Sequence, residues 1–260
     1  MEQGQQATTV ITERVGQVLV LRLNRPEKLN AISPQMMREI ASTLHEARVD
    51  ESVRVVALTG NERAFSVGAD IDVFAGATAR DLSGPQSDAH LWSTIWRFEK
   101  PLVAAVSGYA FGGGFELALA CDLIVASETA RFASPEIRLG LIPGAGGTQH
   151  LARRLGKYLA MELVLTGREL SAREAQQLGL VNRVVPVDQY LTEALELAAN
   201  IASYSPEAAR AAKAAIALGP EMPWDAAVAF ERELFLRVFE SEEARRAVRE
   251  FLERRQRRSS

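Results

Sequence analysis

The chain has 260 residues, 47% of them hydrophobic and 24% charged. That composition fits one large globular domain, or a domain with an appended subdomain, and excludes wholesale disorder and collagen-like repeats. The formal charge is −3, from 30 basic and 33 acidic side chains, so the chain as a whole offers no basic field for nucleic acid. Its single cysteine, Cys121, excludes an internal disulfide and a multi-cysteine metal site, and its apolar neighbours mark it as inert core.

In chain order, Val10 to Glu13 and Gln17 to Asn24 read as two strands split by a turn at Val15-Gly16. Ser33 caps a helix that has Pro34 at its first position and an apolar stripe of Met36, Met37, Ile40, Leu44 and Ala47. Val53 to Thr59 is a buried strand, Asn61 to Gly68 a loop and Ala69 to Phe74 a short helix opening. Ala75 to Ala89 is rich in Gly, Pro, Ser and Asp and reads as a mobile loop over a site. Leu91 to Phe98 is helical and Leu102 to Val106 a strand. A glycine-rich turn then leads into a helix near Gly113 to Cys121. Short strands follow at Leu123 to Ser127 and Arg131 to Ala133. Helices are expected at Thr148 to Leu155, Tyr158 to Leu165 and Ala172 to Leu178, then a strand at Val181 to Val185. Beyond Pro186 the chain is helical and alanine-rich, ending in one helix from about Pro223 to Arg255. The pattern is α/β for the first two-thirds and all helix at the end. The helical end is longer than one core needs and is expected to pack on a neighbouring subunit.

The longest apolar stretch, Leu102 to Ala126, carries Glu116 and Asp122 at mid-span, which argues against a membrane helix. The first nine residues are polar and lack an apolar signal core. The expected setting is cytoplasmic, or a matrix of similar kind. The arginines at 254, 255, 257 and 258 read as a solvated end, with nucleic-acid binding as the alternative.

Several motifs fail on context. Gly144-Ala145-Gly146 begins a dinucleotide fingerprint, but position 149 is Gln. His45, His90 and His150 are isolated from one another, so no metal site is expected. Ala64-Phe65-Ser66-Val67-Gly68 approaches the nucleophile elbow of a serine hydrolase, without a clear helix after Ser66. The arrangement that carries chemistry is Gly112-Gly113-Gly114 ahead of a helix bearing Glu116. Glycines let backbone approach a ligand, and the first N–H groups of a helix lack internal partners and can hold a developing oxyanion. The alternative is an ordinary helix start with Glu well placed for the dipole. A second glycine-containing loop, Phe65 to Ile71, leaves the Ala69 N–H free. Glu136, in Ser134-Pro135-Glu136-Ile137, is either an exposed turn residue or a poised acid/base. Residue patterns alone do not show that these pieces converge.

Taken together, the chain resembles the enoyl-CoA hydratase/isomerase (crotonase) family over nearly its full length. The resemblance rests on Asn24-Arg25-Pro26-Glu27-Lys28-Leu29-Asn30-Ala31, Phe65-Ser66-Val67-Gly68-Ala69-Asp70-Ile71, and Lys100-Pro101 through Gly112-Gly113-Gly114-Phe115-Glu116. It continues through Ser134-Pro135-Glu136, Gly140 to Thr148 and Leu165-Thr166-Gly167-Arg168. It implies a spiral of ββα units over residues 1–195 and a helical trimerisation region over 196–260. It also implies an acyl-CoA thioester as substrate, homotrimers or hexamers, and no metal or cofactor, CoA being part of the substrate. No nucleic acid or membrane partner is expected.

By the same resemblance, the N–H groups of Ala69 and Gly113 would polarise the thioester carbonyl, and Glu116 and Glu136 would be catalytic. Arg25, Lys28, Leu29, Ala31, Ala69, Asp70, Ile71 and Gly113 would contact the thioester or its CoA. Retention of both carboxylates favours a hydratase; an isomerase, a dehydratase of a more polar acyl-CoA and a non-catalytic acyl-CoA-binding protein are the alternatives. Asp72 stands where many members carry Lys, which shifts the expected phosphate contact to Arg25 or Lys28. Phe115 is expected to reshape the pocket floor, and Trp92 and Trp96 to pack in the core or line the acyl pocket.

Overall fold

The structure is a computed structural model that describes residues 8–259 apart from 74, 77 and 81–88. Much of the segment expected as a mobile loop, residues 77 and 81–88, therefore lies outside the described residues.

The chain alternates between two sheets. Strands β1 (Val10–Val15) and β2 (Val18–Leu23) form an antiparallel hairpin. Gly16, at φ 57°, opens its two-residue loop, where a tight hairpin turn calls for positive φ. From there the path repeats. β3 (Val55–Thr59), β5 (Leu102–Val106) and β7 (Leu123–Ser127) lie parallel in a large sheet of order β1-β2-β3-β5-β7-β10, closed by β10 (Arg183–Val185). After each of these strands the chain enters a small sheet, through β4 (Ala64–Ser66), β6 (Tyr109–Phe111) and β8 (Arg131–Ala133), with β9 (Leu170–Ser171) at its edge. The result is the expected spiral, one strand per turn in each sheet.

Parallel strands buried on both faces read as continuous apolar runs, and β3, β5 and β7 do. Val56, Leu58, Leu102, Ala104, Val106, Ile124 and Ala126 face the main core. There they meet α1 (Pro34–Val49), α2 (Ala89–Trp96) and α3 (Gly113–Leu119). Val55, Ala57, Val103, Ala105 and Val125 face the other way, onto Tyr190, Ala194, Ala198 and Ala202 of α7 (Tyr190–Ala202). The division expected at 195/196 thus falls inside a helix that covers the sheet.

Helix α1 forms as read. Ser33 Oγ accepts from the Met36 N–H at 3.2 Å, Pro34 opens the helix, and the expected stripe is buried. Its far end is held by Lys100, only 4% exposed, whose Nζ donates to the carbonyls of Ala47, Asp50 and Val53 at 2.6–2.8 Å. The remaining helices are α4 (Gly147–Leu155), α5 (Lys157–Thr166), α6 (Ala172–Gln177), α8 (Pro206–Leu218), α9 (Trp224–Phe239) and α10 (Glu242–Ser259). Lys213 on α8 ties the helical end to the spiral through Asp122 Oδ2 at 2.7 Å and the Lys100 carbonyl at 3.0 Å. No helix among the described residues is long and apolar enough to cross a membrane.

Three expectations need correction. Residues 64–66 form strand β4 within the expected loop. The strand is three residues long and buried throughout, too short to show a period. The long last helix is two helices, because Ser241 Oγ accepts from the Ala244 N–H and restarts the chain as a cap. Ser66 is fully buried in β4, with its Oγ accepting from the Gly68 N–H, so the elbow reading fails.

Replacing Lys100 with Met leaves the carbonyls at the end of α1 without their donor. Lys100→Met is expected to lower unfolding free energy by about 2 kcal/mol, measured as a shift of the urea midpoint at unchanged slope.

Candidate active site

The small sheet brings the two glycine loops together. Ile32 pairs with Ala69 in a parallel bridge: its N–H donates to the Gly68 carbonyl at 2.7 Å and its carbonyl accepts from the Asp70 N–H at 2.9 Å. In that pattern the Ala69 N–H points away from the bridge. Gly113 is the first residue of α3, so its N–H has no intrahelical acceptor. The two groups are neighbours. A Cβ built on Gly113 would lie 3.6 Å from Ala69 N, and one built on Gly68 would lie 3.0 Å from Gly113 N. Neither N–H has an acceptor among the described residues. The close approach depends on Gly114, where a Cβ would lie 2.2 Å from the Ser66 carbonyl oxygen. α3 therefore rests backbone to backbone on β4.

Both expected carboxylates reach this place, in different states. Glu116 is 3% exposed. Its Oε1 accepts from the N–H groups of Ala145 at 2.7 Å and Gly147 at 2.8 Å. Gly147 opens α4, so the clamp uses an orphan donor at the positive end of a helix. Burial raises the Glu116 pKa, and the Gly147 and Ala145 bonds pull against that rise. Glu136 stands in the short 3-10 turn Pro135–Leu139, half-buried rather than exposed, with both carboxyl oxygens buried and without a hydrogen-bond partner among the described residues. Burial first, and then the charge of Glu116, push its pKa up to about 7. Its Oε1 lies 3.3 Å from where a Cβ on Gly112 would be, one residue from the Gly113 donor. The site thus holds one clamped carboxylate, one unpartnered carboxyl and two free N–H groups.

The expected CoA-contact residues form the rim. Arg25 donates to the Ala31 carbonyl at 2.7 Å and to Asp70 Oδ2 at 2.9 Å. Lys28 Nζ lies 2.6 Å from Asp72 and 3.3 Å from Asp70. Burial would raise the Asp70 carboxyl, but Arg25 and Lys28 outweigh it and hold the pKa low. Both cations proposed for phosphates are therefore engaged with carboxylates. Leu29 and Asn30 hold left-handed backbone at φ 51° and 56°, a conformation that is strained for leucine. Asn30 is fully buried; it accepts from the Arg25 N–H and donates to the Ala64 carbonyl, which fixes the strained turn. Ile71 is 52% exposed beside this cluster. Phe115 is buried against Phe132 at 5.3 Å between centroids.

Residues 13–258 match the family model described as enoyl-CoA hydratase/isomerase. The chain belongs to this family. Among its relatives, a probable mitochondrial enoyl-CoA hydratase of Dictyostelium discoideum is 44% identical over 96% of this chain and 90% of its own. A probable enoyl-CoA hydratase of Rhizobium meliloti is 44% identical over 95% and 96%. The crystal structure of an enoyl-CoA hydratase from Bacillus anthracis superposes with a TM-score of 0.88 at 35% identity, covering 95% of this chain and 96% of that one.

Residue reading missed the Ala145 and Gly147 donors to Glu116. Their signal was the run Gly144-Ala145-Gly146-Gly147, tested there for phosphate binding rather than for carboxylate binding.

The raised Glu136 pKa has a sign in stability. The folded state keeps this proton up to about pH 7, whereas the unfolded chain releases it near the ordinary carboxylate value. Stability is therefore expected to fall as pH rises between those two values. Chemical unfolding across pH 4 to 8 should show that slope reduced in Glu136→Gln.

Proposed function

We propose that this protein is an enoyl-CoA hydratase, adding water reversibly across the double bond of a 2-enoyl-CoA to give a 3-hydroxyacyl-CoA. The observation that carries the reading is the pairing of the clamped Glu116 with the unpartnered Glu136 beside two free N–H donors. Relatives over nearly the whole chain are enoyl-CoA hydratases by name.

The chemistry follows from the geometry. The thioester oxygen sits between the Ala69 and Gly113 N–H groups. Addition at C3 builds enolate charge on that oxygen, and each aligned donor contributes roughly 3 kcal/mol. Two backbone bonds favour the ionised form of Glu116, while the Glu136 oxygens have none. Glu116 is therefore the base and Glu136 the acid. Glu116 takes a proton from the water as its oxygen attacks C3, and Glu136 gives its proton to C2. The pair titrates as a unit. The reverse steps dehydrate the product. No metal or redox cofactor is called for, because the proton transfers and oxyanion are served by protein groups.

Arg25, Lys28, Leu29, Ala31, Asp70 and Ile71 would form the CoA side. The helical end would join copies into trimers or hexamers. That reading is supported by exposed Ile216, Trp224, Phe235 and Phe239 on α8 and α9. A cytoplasmic location is proposed with it, supported by the lone, buried cysteine.

Wild type should hydrate crotonyl-CoA, followed by loss of enoyl absorbance. Glu116→Gln and Glu136→Gln are each expected to lower kcat by roughly 10²–10⁴-fold, with smaller changes in KM. Binding of the thioester without water addition would overturn the reading. Gly147→Ala places a Cβ 2.9 Å from Glu116 Oε1. It should lower kcat about 100-fold by misplacing that carboxylate, seen as a kcat loss that outweighs any rise in KM.

A further inference from the structure

One polar constellation next to the site has no part in the mechanism above. Gly146 lies between the two residues whose N–H groups clamp Glu116. A Cβ built on Gly146 would lie 3.2 Å from His150 Cδ2, 3.5 Å from His150 Nε2 and 3.5 Å from Trp96 Cζ2. One edge of each ring thus borders the same side of Gly146. Arg154 Nη1 lies 2.6 Å from His150 Nδ1. A guanidinium only donates, so Nδ1 accepts and the imidazole proton is on Nε2. Burial, and then the charges of Arg154 and Arg153, push the His150 pKa down to about 4, so the ring is neutral in ordinary buffers.

The Nε2–H has no acceptor among the described residues. Cζ2 of Trp96 is bonded to the ring carbon that carries Nε1, so the indole N–H lies on the same edge. It too has no acceptor among the described residues. Trp92 stacks on Trp96 at 6.4 Å and supports its ring. Neither ring is sealed: His150 is half-buried and Trp96 is 43% exposed. Two N–H donors beside one glycine, one residue from the Glu116 clamp, suit an oxygen atom better than a methyl group.

Resting on the hydratase reading, we propose that His150 and Trp96 form a subsite for the far end of the acyl chain, and that this subsite selects 2-enoyl-CoA substrates whose tail carries an oxygen acceptor, as a carboxylate or a hydroxyl. Arg154, behind the imidazole, holds the donor tautomer in place and is a positioning residue. Arg153, though paired with Glu221, adds positive field at His150, which suits a carboxylate, whereas two neutral donors suit a hydroxyl equally. The two acceptor chemistries are therefore compared directly.

The test uses the full-length protein and saturated CoA thioesters with six- and eight-carbon chains ending in methyl, hydroxyl or carboxylate, with affinity read by calorimetry. Two neutral donors that gain acceptors should favour an oxygen-ended tail by roughly tenfold at one of the two lengths. Trp96→Phe keeps a ring and removes its N–H; His150→Phe does the same at the other donor. Each should remove most of that ratio, whereas a general loss of fold weakens all tails together and preserves it. Equal or tighter binding of the methyl-ended thioesters at both lengths overturns the proposal. So does a preference that survives both variants. Crotonyl-CoA hydration tests the hydratase reading separately. An enzyme that adds water to crotonyl-CoA but ignores tail polarity sinks only the subsite. One that prefers oxygen-ended tails but adds no water keeps the subsite and loses the reaction.

Discussion

Much of this structure depends on the need to satisfy one buried carboxylate. A glutamate sealed from water is costly unless donors replace its hydration. For Glu116 those donors are the N–H groups of Ala145 and Gly147. The demand fixes much else. Residue 147 must lack a Cβ, because one would meet both Glu116 Oε1 and Pro143 at 2.9 Å. The start of α4 must face α3, and the peptide of Gly146 must run between the two donors. At its other end the same requirement sets α3, whose first residue supplies the Gly113 N–H. Two hydrogen bonds therefore tie Glu116, the helix that begins with Gly113 and the loop at 145–147 together.

The second carboxyl shows the opposite solution. Glu136 lies close enough to feel the charge of Glu116, and its buried oxygens have no donor among the described residues. Burial pushes the pKa of a carboxyl in that position up to about 7. Two identical side chains thus sit in different electrostatic settings, because the N–H groups of Ala145 and Gly147 oppose the effect of burial at Glu116. No extra cationic residue is needed to separate them.

Much of this was legible in the residues, for physical reasons that differ by element. Helix α1 announced itself because a Ser cap, a proline at the first position and a full apolar stripe agree. The strands of the large sheet were visible because burial on both faces makes continuous apolar runs. β4, β6 and β9 were not, at two or three residues each. Strands this short owe much to their neighbours, although β8, also three residues long, was legible. The break between α9 and α10 turns on one serine cap in an otherwise helical composition. At the site, Gly112 to Glu116 suggested an oxyanion donor beside a carboxylate, yet only the parallel stacking of β4 on β6 brings Ala69 to it. At the rim, the pairing of Arg25 and Lys28 with Asp70 and Asp72 was not legible, because it joins residues more than forty positions apart.

The double burial of β3, β5 and β7 also bears on how the chain can change over time. In most amphipathic strands a slip of one position exposes greasy residues and is rejected by water. Here both faces are dry, so polarity cannot police the alignment. Size does it instead. The face toward α7 presents Val55, Ala57, Val103 and Ala105 to an alanine row at 194, 198 and 202, while the opposite face carries Leu58 and Leu102 among larger partners. On the α7 side a gain in volume at Val55, Ala57, Val103 or Ala105 would push that helix away from the sheet, so substitutions there are expected to cost more than in the turns between the two sheets.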